Sequence, residues 1–350
     1  MTTFRLATPD DDGVIRAMLR DNAMPTWVEM AVEREPSFFA GVNHFGCDWA
    51  VIAEDRGDAI GMYTASVLPV HLNGRPERIG YLGGLRVNAA HRRRIRHLRE
   101  GFATVRRLAQ VSLTRPFWFT VIADDNRTAR RFLESGIAGL PEYRPIGRVV
   151  GHALASSRGR RRGLWRRADE GDLEELISFH NGHASAAHCS PVLDAERVRR
   201  IGLDAFVVHE HAGETRGIAA LWDQRAYKQL VARRYRRPIG ALVPIWNVAA
   251  RLLRLVPLPR TGGELHQTFI AFLALSDLAS SDSAELLRDL LTYCRTPVAS
   301  LTLHASHPWL PALKALKPIR YPMTIYQVAF DGDDARPLAG RAVQPEGALL

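Results

Sequence analysis

The sequence has few cysteines and no sign of export. Its three cysteines, Cys47, Cys189 and Cys294, are odd in number and far apart in a chain of 350 residues. This argues against a disulfide-stabilised secreted scaffold and predicts reduced thiols. The N-terminus has no basic stretch followed by an apolar run, so no secretory signal is expected. These absences predict a cytoplasmic protein.

Signatures of nucleotide and metal binding are also missing. The sequence contains no Walker loop, no Rossmann glycine fingerprint and no paired zinc-knuckle cysteines. A run with histidines and one cysteine at 180–189 has a spacing that matches no strong zinc pattern. We therefore predict no metal ligands and no metal cofactor.

Acidic residues are outnumbered by basic ones. The chain has 47 Lys and Arg against 37 Asp and Glu, a formal net charge of +10. Such a balance favours an anionic partner: a phosphorylated cofactor, nucleic acid, an acidic protein or a membrane surface. Arginines cluster at 91–99, 158–167 and 233–237, and the first cluster alone opens a helix beside the end of a strand.

The stretch 81–134 organises the first half of the chain. It predicts a strand at 81–87, an arginine-rich elbow at 91–97 and a helix whose apolar residues recur at helical spacing. A buried strand at 117–122 and a second helix opened by 124–126 follow. Free N–H groups at a helix start, its positive dipole end and nearby guanidinium groups can converge on a phosphate. The pattern predicts an anion site at the elbow.

The same plan occurs twice. Residues 4–7 and Asp11 align with 165–168 and Asp172, and 269–275 takes the place of 81–87. An internal repeat of this length is a fold-level signal. It predicts an α/β (α+β) protein of two tandem domains, each with a mixed, mostly antiparallel sheet flanked by helices. The expected boundaries are 1–153, a basic linker at 154–163, a second domain at 164–330 and a disordered tail at 331–350.

An insertion at 227–262 breaks the repeat. Its apolar part, 238–257, is interrupted by Pro244, Arg251 and Arg254, so it does not predict a transmembrane helix. A lid, a helix packed between the domains and a helix lying on a membrane surface all fit the pattern. We expect a packed amphipathic helix that covers the acceptor end of the first domain's cleft.

Two motifs in the first half resemble those of the GNAT superfamily of acyl-CoA N-acyltransferases. After its fourth strand that family has Val-x-Pro-x-x-Arg-Gly-x-Gly-x-Gly/Ala, which Val87 and Arg92 match, although Ile95 and His97 stand at glycine positions. A later signature is matched by Asn126, Ala129, Phe132 and Gly136, with Leu133 in place of the family's tyrosine. The resemblance covers about residues 3–150.

The resemblance implies that acetyl-CoA or a longer acyl-CoA binds the first half as co-substrate. Backbone groups of the fourth strand would bind the pantetheine amides, and the elbow would bind the pyrophosphate. The expected cofactor-binding residues are Leu85, Arg86, Val87, Arg92, Arg93, Arg94, Ile95, Arg96, His97 and Asn126. The second half has an acidic, serine-rich run after Leu275 instead of an elbow, so we expect a degenerate copy.

Direct transfer needs a base or water chain to deprotonate the amine and a donor that stabilises the oxyanion. The GNAT resemblance also implies a tyrosine that protonates the leaving thiolate. Tyr81, on the fourth strand, and Tyr143, after the second helix, are the candidate catalytic residues. We predict an N-acyltransferase that moves an acyl group, expected to be acetyl, to a primary amine of a small molecule or peptide. The sequence does not indicate the oligomeric state.

One alternative of a different class stays open. A GNAT-like pair without turnover could use its arginine clusters to bind nucleic acid or an acidic protein. The clusters lack the interleaved aromatic side chains that stack on bases, beyond Trp165 and Tyr235. Nucleic acid is therefore not the expected partner, whereas peripheral contact with a membrane stays open.

Overall fold

The structure is a computed structural model of the chain. It describes residues 2–23, 27–45, 47–88, 91, 95–109, 112–156, 159–276, 283–330 and 338–350.

The first half alternates strands and helices. Its strands are β1 (Thr2–Leu6), β2 (Val28–Glu33), β3 (Cys47–Asp55), β4 (Asp58–Leu72), β5 (Arg75–Val87), β6 (Trp118–Ala123) and β7 (Glu142–Ala155). Its helices are α1 (Asp12–Asp21), α2 (Val42–Phe45), α3 (Ile95–Ala109) and α4 (Arg127–Leu133). The apolar stripe of α1 packs Ile15, Met18 and Leu19 on Ile52 and Met62 of the sheet, which forms the core of this half.

The second half repeats this order. Its strands are β8 (Arg166–Arg167), β9 (Ser190–Pro191), β10 (Phe206–His211), β11 (Glu214–Trp222), β12 (Gln229–Tyr235), β13 (Gln267–Leu275), β14 (Val298–His304) and β15 (Ile319–Ala329). Its helices are α5 (Leu173–Ala184), α6 (Ala195–Ile201), α7 (Ile239–Leu253), α8 (Ser283–Leu290) and α9 (Leu310–Lys314).

The last strand of each half is exchanged. The main sheet has the order β1-β3-β4-β5-β6-β15-β7-β14-β13-β11-β10-β8, so β15 lies beside β6 and β7 lies beside β14. The central β7–β15 pair is antiparallel from Glu142–Ala329 to Ala153–Ile319. The predicted class, a mixed and mostly antiparallel sheet flanked by helices, is confirmed. The two predicted sheets are joined into one, because each half is completed by the other's final strand.

One ion-pair arrangement occurs in both halves and explains the aligned residues. Arg5 donates two 2.7 Å hydrogen bonds to Asp11 and also bonds Glu54. Arg166 does the same, with two 2.7 Å bonds to Asp172 and further bonds to Glu210. Each arginine ties the first strand of its half to the helix start and to the hairpin.

The insertion leaves the main sheet. Strand β12 pairs antiparallel with β2 in a separate ribbon, and α7 follows it. Val243 and Ala250 of α7 are buried, but Leu242, Ile245, Val248, Leu252 and Leu253 are exposed. The expectation of a packed helix therefore holds for one face only.

The tail prediction is wrong for residues 338–350. Val343, Ala348 and Leu349 are buried, because this segment packs against both halves of the sheet. Residues 331–337 lie outside the described residues. The predicted domain boundaries are still predictions. Because β7 and β15 are exchanged, each half contributes its last strand to the sheet of the other half.

Candidate functional site

Strands β5 and β6 run side by side and then diverge. Their parallel register pairs Gly80 with Trp118 and Tyr81 with Phe119. One residue further on, the Thr120 hydroxyl donates a 2.7 Å hydrogen bond to the Leu82 carbonyl. Beyond this bridge the two strands diverge, and a cleft opens between them.

A bulge in β5 borders the cleft. The β4–β5 register shifts between Met62 and Thr64, and Gly84 has a φ of +61°. A Cβ at Gly84 would lie 3.0 Å from the Thr64 hydroxyl oxygen. A left-handed backbone conformation in contact with a neighbouring strand favours glycine. Gly84 is therefore suited to this position because it has no side chain.

The cleft leads into a cavity of about 750 Å³. Such a volume lies in the range of about 300–1,000 Å³ that small-molecule sites have. Part of the cavity wall is formed by Leu19, Phe38 and Met62, which are buried residues of the apolar core under α1. The cavity can therefore take an apolar group well below the surface.

Two buried polar atoms beside this cavity have no hydrogen-bond partner among the described residues. They are Nε of Arg86 and Nδ1 of His91. Burial lowers the pKa of Arg86, and the nearby Tyr81 acts in the opposite direction. Since buried polar groups in proteins are normally paired, these two atoms fit a polar or anionic ligand in the cleft.

The predicted catalytic tyrosines both line this cavity. Tyr81 lies at the last β5–β6 residue pair, with its ring centroid 5.1 Å from that of Phe119. Tyr143 is at the start of β7, edge-on to Phe102 at 6.3 Å. Burial raises the pKa of Tyr143 above its ordinary value, so its phenol is protonated at neutral pH.

Most of the predicted cofactor residues that the structure describes surround the same cavity. Leu85, Arg86 and Val87 line it from β5. Asn126 also lines it and caps α4, with its side-chain oxygen accepting a hydrogen bond of 3.3 Å from the Ala129 N–H. The structure thus brings together residues about 40 positions apart in the sequence.

The elbow is described in part. Arg92, Arg93 and Arg94 lie outside the described residues. Ile95, Arg96 and His97 form the first turn of α3, and their side chains are likewise not described. Their assignment to the cofactor stays a prediction, and the helix start at Ile95 agrees with the expected position of the elbow.

Sequence reasoning missed several residues of the cavity wall. His91 lies in the basic run, and its place at the elbow was the available signal. Tyr235, Lys228 and Phe269 come from the second half and the insertion, and no sequence motif marks them. They reach the cavity through the ribbon of β2 and β12 and through the joined sheet.

The arginine cluster at 158–167 is largely engaged within the fold. Arg162 forms an ion pair with Glu285, and Arg166 holds Asp172 and Glu210. Arg167 donates to the carbonyls of Asp204 and Tyr293. These side chains stabilise the second half.

In the described part of the chain, no three His, Cys, Asp or Glu side chains are grouped so that they could hold a metal ion. No helix there has the length and apolar character needed to cross a membrane.

Comparison with solved structures gives matches over nearly the whole chain. Yeast (Saccharomyces cerevisiae) N-myristoyltransferase with bound myristoyl-CoA aligns with a TM-score of 0.60 at 10% identity, covering 95% of this chain and 84% of that one. A GCN5-related N-acetyltransferase from Anabaena variabilis aligns with a TM-score of 0.52 at 8% identity, covering 93% and 72%. The chain has the GNAT fold in two copies. No protein-family model and no curated protein sequence matches it.

Both halves of this chain have a strand bulge at the equivalent place. The register of β11 and β13 shifts between Ile218 and Ala220, as that of β4 and β5 does between Met62 and Thr64. This equivalence places Phe272, with a φ of +52°, at the position of Gly84. The expected resemblance is confirmed at the level of the fold, including the tandem arrangement.

Proposed function

We propose that this protein is an acyl-CoA-dependent N-acyltransferase that transfers an acyl chain longer than acetyl directly to an amine. One observation carries the proposal: the cleft between β5 and β6, with its bulge at Gly84, opens into an apolar cavity of about 750 Å³. The cleft offers space along the backbone of β5 for a thioester, and the cavity offers apolar walls for its chain.

Acyl-CoA would bind along β5. The backbone of Leu85, Arg86 and Val87 would pair with the pantetheine amides, as the GNAT resemblance implies. Nε of Arg86 and Nδ1 of His91, which have no hydrogen-bond partner among the described residues, suit polar atoms of this ligand. The predicted elbow at 92–97 would hold the phosphates at the start of α3, where helix N–H groups and arginines favour negative charge.

The transfer needs two proton movements. The amine nitrogen attacks the thioester carbon and forms the amide bond while the carbon–sulfur bond breaks. The amine loses a proton to a base or to a water held near Tyr81. The departing sulfur takes a proton, and Tyr143 can supply it, because its phenol lines the cavity and is protonated at neutral pH. The phenolate left behind regains a proton from solvent. Products are the amide and coenzyme A.

The apolar end of the cavity supports a longer chain. Leu19, Phe38 and Met62 border it, and an acetyl group would leave this end empty. Burial of each further methylene favours binding by about 0.8 kcal/mol. The sequence-based expectation of acetyl stays a prediction that the same experiment tests.

The amine acceptor would approach from the second half. Lys228, Phe269 and Tyr321 line that side of the cavity. We propose a small-molecule or peptidyl amine, as expected from the sequence. The alternative of a binding module without turnover gains no support from the cluster at 158–167, since much of it bonds within the chain.

Calorimetric titration with coenzyme A, acetyl-CoA and dodecanoyl-CoA tests the proposal. We expect dodecanoyl-CoA to bind at least about tenfold more tightly than acetyl-CoA, because burial of its methylenes adds to the shared coenzyme A contacts. Release of free thiol with a panel of amines and peptides then tests turnover. Ala53 lines the cavity, so Ala53→Leu should narrow it. This variant should reduce the preference for dodecanoyl-CoA and leave the affinity for coenzyme A unchanged.

The outcomes separate the readings. Equal affinity for the three ligands would overturn the chain-length proposal, and tighter acetyl-CoA binding would favour acetyl. Absence of binding by all three would overturn the acyltransferase proposal. Binding without thiol release for any amine would favour the binding module.

A further inference from the structure

Helix α7 presents a broad apolar face to solvent. Leu252 is 79% exposed and Ile245 is 68% exposed, and Leu242, Val248 and Leu253 are also exposed. Large aliphatic side chains grouped in this way on one helix differ from the single exposed apolar residues that are normal on a protein surface.

The orientation of this face is held by the opposite side of the helix. Asn247 exchanges two hydrogen bonds with the backbone of Leu258, of 2.8 and 2.9 Å. The indole N–H of Trp246 donates to the Val256 carbonyl at 2.9 Å. With Val243 and Ala250 buried on the same inner side, the helix cannot rotate its aliphatic side chains inward without breaking these bonds.

The segment of the sequence that contains α7 has basic residues but no acidic ones. Residues 224–263 contain nine Lys and Arg and no Asp or Glu. Arg236, Arg237, Arg251, Arg254 and Arg260 are exposed. In the part of the chain that the structure describes, these five side chains form no ion pair. Their charge is therefore available to an external anion.

We propose that α7 docks this protein on the surface of a bilayer that contains anionic phospholipids. The exposed aliphatic face would enter the boundary between headgroups and acyl chains, with the helix parallel to the membrane. The arginines before and after the helix would contact lipid phosphates, each with an attraction that salt screens. Their long stems allow the charge to stay at headgroup level.

Charge favours a membrane over a second copy of the chain as the occupant. Two copies joined through α7 would bring two acid-free basic segments together, and like charges facing each other oppose association. An anionic bilayer supplies both an apolar layer and negative charge over an extended plane. The docking proposal does not depend on the acyltransferase proposal, because it rests on α7 and its arginines alone.

The docking face adjoins the cavity. Trp27 and Tyr235 both line the cavity, and their ring centroids lie 6.3 Å apart. The backbone N–H of Arg236, one of the exposed arginines before α7, donates to the Trp27 carbonyl at 3.1 Å. A membrane-bound orientation would thus bring the cavity wall close to the lipid surface, which suits an amphiphilic substrate.

Co-sedimentation of the full chain with vesicles tests this proposal. The vesicles are pure phosphatidylcholine or phosphatidylcholine mixed with phosphatidylglycerol. We expect binding to the mixed vesicles that decreases with salt, and much weaker binding to phosphatidylcholine alone. The double variant Ile245→Glu, Leu252→Glu should bind at least about tenfold less, since it places two charges in the apolar face.

Two controls keep the test specific. Val14→Glu puts the same charge at an exposed apolar position of α1 and should bind vesicles as the wild type does. Replacement of Arg236, Arg237 and Arg251 by Gln should remove the preference for phosphatidylglycerol. Both sets alter exposed side chains, and thermal unfolding would verify that each variant folds.

Three results would overturn the proposal. One is an equal sedimented fraction with and without vesicles. Another is vesicle binding by the double glutamate variant that equals wild-type binding. The third is a wild-type dimer in sedimentation velocity that the double variant converts to monomer, together with no vesicle binding, which would make a second copy the occupant.

Discussion

The two strand bulges of this molecule share a backbone conformation and differ in what lies against them. Gly84 in β5 borders an open cavity. Phe272 in β13 has a similar positive φ, but its N–H donates a 2.8 Å hydrogen bond to the Glu346 carboxylate. In the second copy the chain itself supplies the group that meets the bulge.

The C-terminal segment occupies the equivalent place between β13 and β14, which we call the second cleft. Gln344 bridges to β14, accepting from the His304 N–H at 2.6 Å and donating to the Thr302 carbonyl at 3.0 Å. Ala348 and Leu349 are buried in the core that contains Phe272. The comparison teaches that the same framework can hold a ligand or a piece of its own chain, depending on which residues follow the bulge.

The largest expected effect comes from Phe272, which is 1% exposed. Phe272→Ala should lower the free energy of unfolding by about 3–5 kcal/mol, because it leaves a cavity in the core. Denaturant unfolding measures this change, and acyl-CoA affinity should stay at the wild-type value. A matching loss of acyl-CoA affinity would show that the second cleft contributes to the ligand site.

Gly84→Val should act in the opposite way, on binding more than on stability. Its Cβ would meet Thr64 in a backbone region that valine disfavours, a strain of about 1–3 kcal/mol. We expect acyl-CoA affinity to decrease by about tenfold or more, as calorimetry would measure. Gly213→Val is the matched control, since Gly213 has a φ of +78° in a hairpin with open space around it. Equal affinities for the two variants would contradict a role for the β5 bulge.

Glu346, in the second cleft, should make the stability of the protein depend on pH. Burial raises its pKa to about 7, from an ordinary value of 4.5. The folded state therefore retains the proton over a range in which the unfolded state has lost it. Stability from this group is present below pH 4.5 and is lost as the pH rises through 7, by about 3 kcal/mol.

Glu346→Gln removes this titration while keeping a side chain of similar size. Denaturant unfolding at pH 5 and pH 8 should show a smaller loss of stability for the variant than for the wild type. Parallel pH profiles would mean that Glu346 does not retain its proton.

The smallest expected effect concerns the arginine that joins two carboxylates in each half. Arg5→Met and Arg166→Met each remove an exposed arginine that joins two carboxylates, and each should cost about 1 kcal/mol of unfolding free energy. Calorimetric unfolding would compare them. A difference of more than about 1 kcal/mol would show that the two halves do not use the arrangement equally.

The sequence by itself indicated the repeated fold and much of the candidate site. Helical spacing, alternating strands and the aligned pairs Arg5–Asp11 and Arg166–Asp172 are local patterns, so the duplication could be inferred without coordinates. Tyr81, Leu85, Arg86 and Val87 lie on one strand, and Asn126 caps one helix. The GNAT resemblance implied that the strand and the helix start contribute to one site.

Other features depend on contacts between distant segments, which local patterns do not encode. Exchange of β7 and β15 joins the halves, and the tail after 338 packs in the second cleft because Glu346 meets Phe272, 74 residues away. The exposed face of α7 is likewise a tertiary result. Apolar periodicity predicts that a helix has an apolar side, whereas only the bonds of Asn247 and Trp246 decide which side faces the protein.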